Sequence, residues 1–181
     1  MRGAPELLIR DARKGEQRAF LRLFEEHHRP LFRLAWRLTG STADAEDIVQ
    51  ECFLALLRPT CSFDPGRTSV RTYLFGVVRN QSLKRLQRRQ QTGVPEQAGD
   101  RTPETEAQRS EIEEAVASAI RALPETQREV LLLAHYEQLT LAEIAQVTEL
   151  EVTAVKSRLQ RARATLRETL AAYAPRAERT L

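Results

Sequence analysis

Cysteine is nearly absent from this chain: its 181 residues hold only Cys52 and Cys61. Two thiols are too few for a disulfide scaffold, and neither stands in a CxxC or paired His/Cys spacing that would point to zinc. Histidine is equally scarce, at three. His27 and His28 are adjacent, so they cannot share one helix face as an i, i+4 ligand pair would. No metal and no cofactor is expected. Apolar runs fall short of the roughly 20 residues of a membrane span, and the opening MRGAPELLIRDARKGE lacks the apolar centre of a secretion signal. The expectation is a cytoplasmic protein with no membrane insertion. A nucleophile paired with a base, a glycine-rich phosphate loop and a metal-ligand cluster are all missing, which argues against an enzyme. There is no β-type alternation long enough for a sheet, and no internal repeat.

What is present is helical patterning and charge. The composition, 41% hydrophobic and 29% charged, suits a soluble protein of one ordinary domain or two small ones. A net charge of +3 points only weakly to a polyanionic partner, so the distribution of charge matters more. The stretch 92–108, TGVPEQAGDRTPETEAQ, holds Gly93, Pro95, Gly99 and Pro103 with almost no large apolar side chain and reads as a flexible linker. It divides the chain into domains over 1–91 and 109–172, with a tail over 173–181. The fold class expected is all-α, two small helical domains on a tether.

In the first half Phe20, Leu23, Phe24, Leu31, Leu34, Ala35 and Leu38 trace one helical stripe that ends at Thr39 and Gly40. Ser41 is an N-cap for a second helix whose buried face is Ala45, Ile48, Val49, Cys52, Phe53 and Leu56. After a loop with Pro59, Asp64, Pro65 and Gly66, a third helix runs from about Ser69 to Arg89. Downstream, Glu111 to Ala122 and Thr126 to Tyr136 are two helices separated by Pro124. They lead into TLAEIAQVTELEVTAVKSRLQRAR, residues 140–163, which packs two short amphipathic helices around a tight turn. That is the plan of a helix-turn-helix. Val152, Val155, Leu159, Ala162 and Leu166 form the apolar stripe of its second helix, so Lys156, Ser157, Gln160 and Arg161 point away. Cations neutralise phosphates, while hydroxyl, amide and guanidinium groups hydrogen-bond base edges in the major groove. A solvated basic helix in a bundle would show the same pattern.

Two surfaces of opposite sign stand out in the first half. Asp44, Glu46, Asp47, Gln50 and Glu51 lie off the stripe of the Ser41 helix, an acidic face that repels DNA and suits a basic protein helix. Asp44 also sits where a capping side chain and the helix dipole favour a carboxylate. In the next helix Arg71, Arg79, Lys84, Arg85, Arg88 and Arg89 interleave with Tyr73, Phe75 and Asn80. Basic groups hold a backbone while aromatic and amide groups stack on or bond unpaired bases, which suits opened DNA; Tyr73 and Phe75 are equally read as core. Phe63 stands in a polar loop.

Six segments then resemble, in order, the conserved regions of extracytoplasmic-function (ECF) sigma factors. They are Ala45 to Glu51, Phe63-Asp64-Pro65, Tyr73 to Asn80, Leu123 to Val130, Glu143-Ile144-Ala145, and Val155 to Leu159 continuing through Arg161-Ala162-Arg163. The resemblance runs from about Ala19 to Leu170. It implies an initiation subunit that binds core RNA polymerase, directs it to −10 and −35 promoter elements and starts DNA melting. Asp44, Glu46, Asp47 and Gln50 would dock on the β′ clamp coiled coil, and the β flap is the other polymerase contact implied. Phe63, Tyr73, Arg79, Asn80, Lys84, Arg85 and Arg88 would read and hold the melted −10 element, where a flipped base costs a few kcal/mol of stacking and pairing. Lys156, Ser157, Gln160 and Arg161 would read the −35 duplex, the linker would thread toward the RNA exit path, and an anti-sigma protein would compete for the docking surfaces.

Glu149, Glu151, Thr153 and Ala154 depart from the family pattern of glycine, proline, glycine and threonine. Glu149 is expected to take a left-handed turn conformation at roughly 1 kcal/mol, and two carboxylates beside the recognition helix would repel a nearby phosphate. The family's common tryptophan near Tyr73 is also missing. Cys52, on the apolar stripe, reads as a small buried hydrophobe, and Cys61 leaves a redox role as a minor alternative. A stand-alone helix-turn-helix regulator explains the second half but gives the acidic and aromatic-basic helices no task; a degenerate relative that docks without initiating transcription is the other alternative.

Overall fold

The computed structural model describes residues 4–92 and 111–173. Among them the chain forms eight α-helices and no strand, in agreement with an all-α class. The expected linker over 92–108 and the tail over 173–181 lie, apart from Thr92 and Tyr173, outside the described residues.

The first unit is built from α1 (Ala4–Arg13), α2 (Gln17–Thr39), α3 (Thr42–Leu57) and α4 (Val70–Thr92). Long α2 is its spine, in contact with each of the other three. Leu23, Leu31, Leu34, Ala35 and Leu38 are buried as the stripe requires, whereas Phe20 and Phe24 are half-buried and lean on Phe53, with ring centroids 6.1 and 5.1 Å away. Gly40 stops the helix at φ 68, a left-handed angle that costs glycine nothing, and its N–H donates to the Trp36 carbonyl at 2.8 Å. One residue on, the Ser41 hydroxyl accepts from the Asp44 N–H at 3.2 Å and α3 begins. All six residues of its expected apolar face are buried. Burying one such leucine or isoleucine contributes about 1.5–3 kcal/mol, so this face fixes α3 firmly.

The sequence did not announce α1. Ile9 and Ala12 drop into the core, and Arg13 Nε donates to the Leu56 carbonyl at 3.0 Å, tying α1 to the end of α3. Helix α4 covers α2 and α3 with Val70, Leu74, Phe75 and Val78. It runs through Thr92, three residues beyond the expected end.

The second unit comprises α5 (Glu111–Ala122), α6 (Glu125–His135), α7 (Leu141–Thr148) and α8 (Val152–Thr169), followed by a 3-10 turn at Ala171–Tyr173. Helix α7 opens on a reciprocal cap. Thr140 accepts from the Glu143 N–H at 3.2 Å while Glu143 Oε2 accepts the Thr140 N–H at 2.8 Å. Glu149 ends α7 at φ 57, ψ 37, the left-handed geometry its position demanded. Val155, Leu159 and Ala162 bury the inner side of α8. Val152 does not join them and is 44% exposed. It is the first residue of α8, so extending the three-and-four pattern back by one step overruns the packed part of the helix.

Candidate nucleic-acid interface

Helix α8 presents the four side chains expected to read duplex DNA. Lys156, Gln160 and Arg161 are exposed and Ser157 is half-buried. Arg161 Nη2 donates to Ser157 Oγ at 3.2 Å and its Nε to the Ser157 carbonyl at 3.4 Å, which holds the guanidinium along the helix. Lys156 and Gln160 also border a shallow groove of about 410 Å³ beside Leu139 and Leu141; Arg163, not singled out from the sequence, lines it too. Glu151 stands at the N-cap of α8 with no side-chain cap bond, so its carboxylate and that of exposed Glu149 sit at the N-terminal end of this helix.

The loop between α3 and α4 meets the start of α4 through an aromatic pair. Phe63 sets its ring edge against Tyr73, centroids 5.3 Å apart and planes at 62°. Tyr73 Oη and Cys61 Sγ share a hydrogen bond at 3.3 Å, and Asp64 Oδ1 accepts the Gly66 N–H at 2.8 Å. Burial first, and the Cys61 bond second, raise the Tyr73 pKa. Cys61 is therefore half-buried and bonded, not a bare loop thiol. Cys52 is wholly buried, and burial, helped by Cys61, pushes its thiol up to about 12, as a small core hydrophobe requires. Phe75, at 1% exposure, belongs to the core. Asn80, Lys84 and Arg88 lie exposed along the outer side of α4.

Arg79 and Arg85 are engaged within the protein. Arg85 Nη1 donates to Asp44 Oδ1 at 2.8 Å, and the same guanidinium reaches Asp47 at 3.5 Å and Glu51 at 3.3 Å. Arg89 joins Asp44 and also donates to the Thr39 carbonyl at 3.2 Å. Burial works against the Arg85 charge, but the Asp44 hydrogen bond and the surrounding carboxylates outweigh it and its pKa rises. The acidic ridge of α3 and the basic ridge of α4, read separately from the sequence, thus close on each other along one flank. Asp44 is spent in this closure, while Glu46, Asp47 and Gln50 stay exposed.

Two buried glutamates that sequence reasoning missed join the units. Glu129, in α6, pairs with Arg79 of α4. Glu137, after α6, receives Arg33 at 3.3 Å with Arg37 3.9 Å away, and its carbonyl accepts from Arg71. Arg37 lies 3.9 Å over the Tyr136 ring. Thr68 bonds Gln146 at 3.1 Å and Thr72 bonds Glu143 at 3.5 Å, so the first helix of the helix-turn-helix rests on α4. The available signal was Glu129 heading the apolar run Val130 to Leu133, where a buried carboxylate demands a partner.

An outward basic helix after a tight turn, on an all-helical two-unit chain, defines a helix-turn-helix DNA-binding protein. Residues 23–92 match the family described as Sigma-70 region 2, and residues 113–166 that described as Sigma-70, region 4. The chain is 35% identical over 157 residues to the ECF RNA polymerase sigma factor SigL of Mycobacterium tuberculosis, covering 82% of this chain and 86% of that one. It is 28% identical over 177 residues to the ECF RNA polymerase sigma factor SigW of Bacillus subtilis, covering 90% and 94%. The structure of CnrH in complex with the cytosolic domain of CnrY superposes with a TM-score of 0.72 at 29% identity, covering 94% of this chain and 99% of that one. The chain belongs to the ECF RNA polymerase sigma factors, alternative sigma factors that direct RNA polymerase to promoters.

Proposed function

We propose that this sigma factor docks on core polymerase through Glu46, Asp47 and Gln50 of α3, with Asp44 bracing the docking helix from within. Promoter DNA is then read at two places. The outer face of α8 takes the −35 duplex through Lys156, Ser157, Gln160 and Arg161. Phe63 and Tyr73 receive an unstacked −10 base while Asn80, Lys84 and Arg88 hold the melted strand. The observation that carries this reading is the pairing of an outward reading helix in one unit with an aromatic loop beside a cationic helix face in the other, since duplex and single-stranded DNA call for those two chemistries.

The closed arrangement adds an order of events. Arg79 cannot hold a DNA phosphate while its Nε and Nη2 hold Glu129, and α7 rests on α4 beside it. Polymerase and promoter must exchange these partners, so isolated protein binds DNA weakly and the holoenzyme strongly. An anti-sigma protein is proposed as a further partner, supported by the similarity to CnrH, whose structure carries the cytosolic domain of CnrY. The β′ clamp coiled coil and the β flap are the proposed polymerase contacts, and the cytoplasm the proposed location; among the described residues no helix is long and apolar enough to cross a membrane.

Run-off transcription by core polymerase on a randomised promoter library, with and without the protein, tests the reading. Enriched −10 and −35 elements that require the protein are expected. Core binding without any protein-dependent transcript would favour the degenerate relative instead.

A further inference from the structure

Helix α1 lies before the matched sigma region, which starts at residue 23, yet it does not merely pad the core. Its C-terminal end faces the Phe63 loop across a cleft of about 320 Å³ lined by Ile9, Arg10, Arg13, Lys14, Phe63 and Pro65. One wall is therefore flat and apolar, and the other carries three cations. The backbone that carries the cations is held in place. Arg13 is moored to the Leu56 carbonyl, and the turn into α2 is closed by bonds from the Lys14, Gly15 and Glu16 N–H groups to Arg10, Asp11 and Ala12 carbonyls at 3.0–3.2 Å. Gly15 takes φ +92 there, an angle that favours glycine.

Cations near a helix C-terminus offset the dipole, and that alone accounts for one or two of them. It does not account for their convergence on an aromatic loop from another element. Among the described residues Lys14 has no acidic partner, and exposed Arg10 pairs with its half-buried neighbour Asp11 at 3.1 Å. The cleft, about 320 Å³ and open to solvent, matches the size of a single nucleotide rather than of a larger ligand. Stacking surface beside backbone cations is the chemistry of single-stranded nucleic acid binding.

We propose that this cleft seats one nucleotide of the opened promoter strand, with its base on Phe63 and Pro65 and its phosphate between Arg10 and Lys14. The proposal rests on the −10 reading of the Phe63 loop and extends that site onto α1, where the Sigma-70 region 2 match does not reach. Helix α1 becomes a phosphate clamp that lengthens the life of the open complex.

The test uses holoenzyme bound to a promoter whose −10 region is held open by mismatches, so that melting plays no part. Single non-template phosphates are replaced in turn by neutral methylphosphonate, and affinity is measured for the wild type and for Arg10→Ala with Lys14→Ala. The wild type is expected to lose about threefold to tenfold at one or two adjacent phosphates, in keeping with the loss of one or two phosphate contacts. The double variant, with unchanged core binding and unchanged melting temperature, is expected to bind weakly throughout and to show no further loss at those positions. An identical position profile in the variant would overturn the clamp and leave the −10 reading standing. Failure of the wild-type holoenzyme to hold the opened promoter would overturn that reading, and the clamp with it.

Discussion

Arg79 and Glu129 stand 50 residues apart in sequence and meet across the two units with only 16% and 3% of their side chains exposed. Each neutralises the other where water cannot, so removing one partner leaves a buried charge. Arg79→Ala should destabilise the closed form by about 3–5 kcal/mol, whereas replacing both by apolar residues of similar size should cost far less. Urea unfolding of the two singles and the double checks this; an additive double would show that the pair is not coupled.

Asp44 and Asp47 neighbour each other on α3 yet should fail differently. Asp44→Ala strips α4 of the anchor for both Arg85 and Arg89 and should lower the melting temperature together with core affinity. Asp47, 60% exposed and 3.5 Å from Arg85, should cost no more than about 1 kcal/mol of stability when replaced by alanine. Its loss should appear in polymerase binding alone, measured by competition against a labelled sigma factor.

Glu149 pays a conformational cost at its left-handed angle. Glu149→Gly should raise stability by about 1 kcal/mol, because glycine takes that conformation without a Cβ clash. The carboxylates near α8 are expected to weaken −35 binding. Glu151→Pro with Thr153→Gly should therefore tighten binding to a −35 duplex, and unchanged affinity would remove the electrostatic explanation.

Acid should loosen the junction between α4 and α7 through Glu143. Partial burial opposes its ionised form, but the Thr140 backbone and hydroxyl bonds prevail, with Arg71 and Thr72 adding to them, and its pKa is lowered from the ordinary glutamate value of 4.5. A depressed folded pKa stabilises fully above the unfolded value and is lost as pH falls through the folded one. Stability should hold above about pH 5 and decline below 4.5, with a shallower decline in Glu143→Gln. Parallel acid curves for the two proteins would refute the assignment.

Local signals were legible in the sequence and distant ones were not. The N-cap at Ser41, the six-residue face of α3, the stop at Gly40 and the left-handed Glu149 each depend on neighbours within a turn or two, and all stand where expected. Helix α1 went unread because its Leu7-Leu8-Ile9 cluster is short and only Ile9 is buried. The α8 face was legible from period alone, except at Val152, where the period outran the packing. Charge sign along α3 and α4 was also legible, but not who meets whom. Asp44 and Arg85 are 41 residues apart, and no periodicity spans a loop. For the same reason Arg79 and Arg85 looked like cations reserved for DNA, although in this structure both already hold carboxylates.

Helix α4 divides its circumference among three tasks. Leu74, Phe75 and Val78 face the core with Arg85 and Arg89 holding the acidic side of α3, Thr72 and Arg79 face the second unit, and Asn80, Lys84 and Arg88 face outward. At 3.6 residues per turn, these tasks recur as interleaved bands along one element. A saturation library of α4 alone, sorted separately for folding, closure and transcription, should therefore give three tolerance profiles with the same period and different phases. Evolution can retune any one of them by substituting every third or fourth residue while the other two hold still.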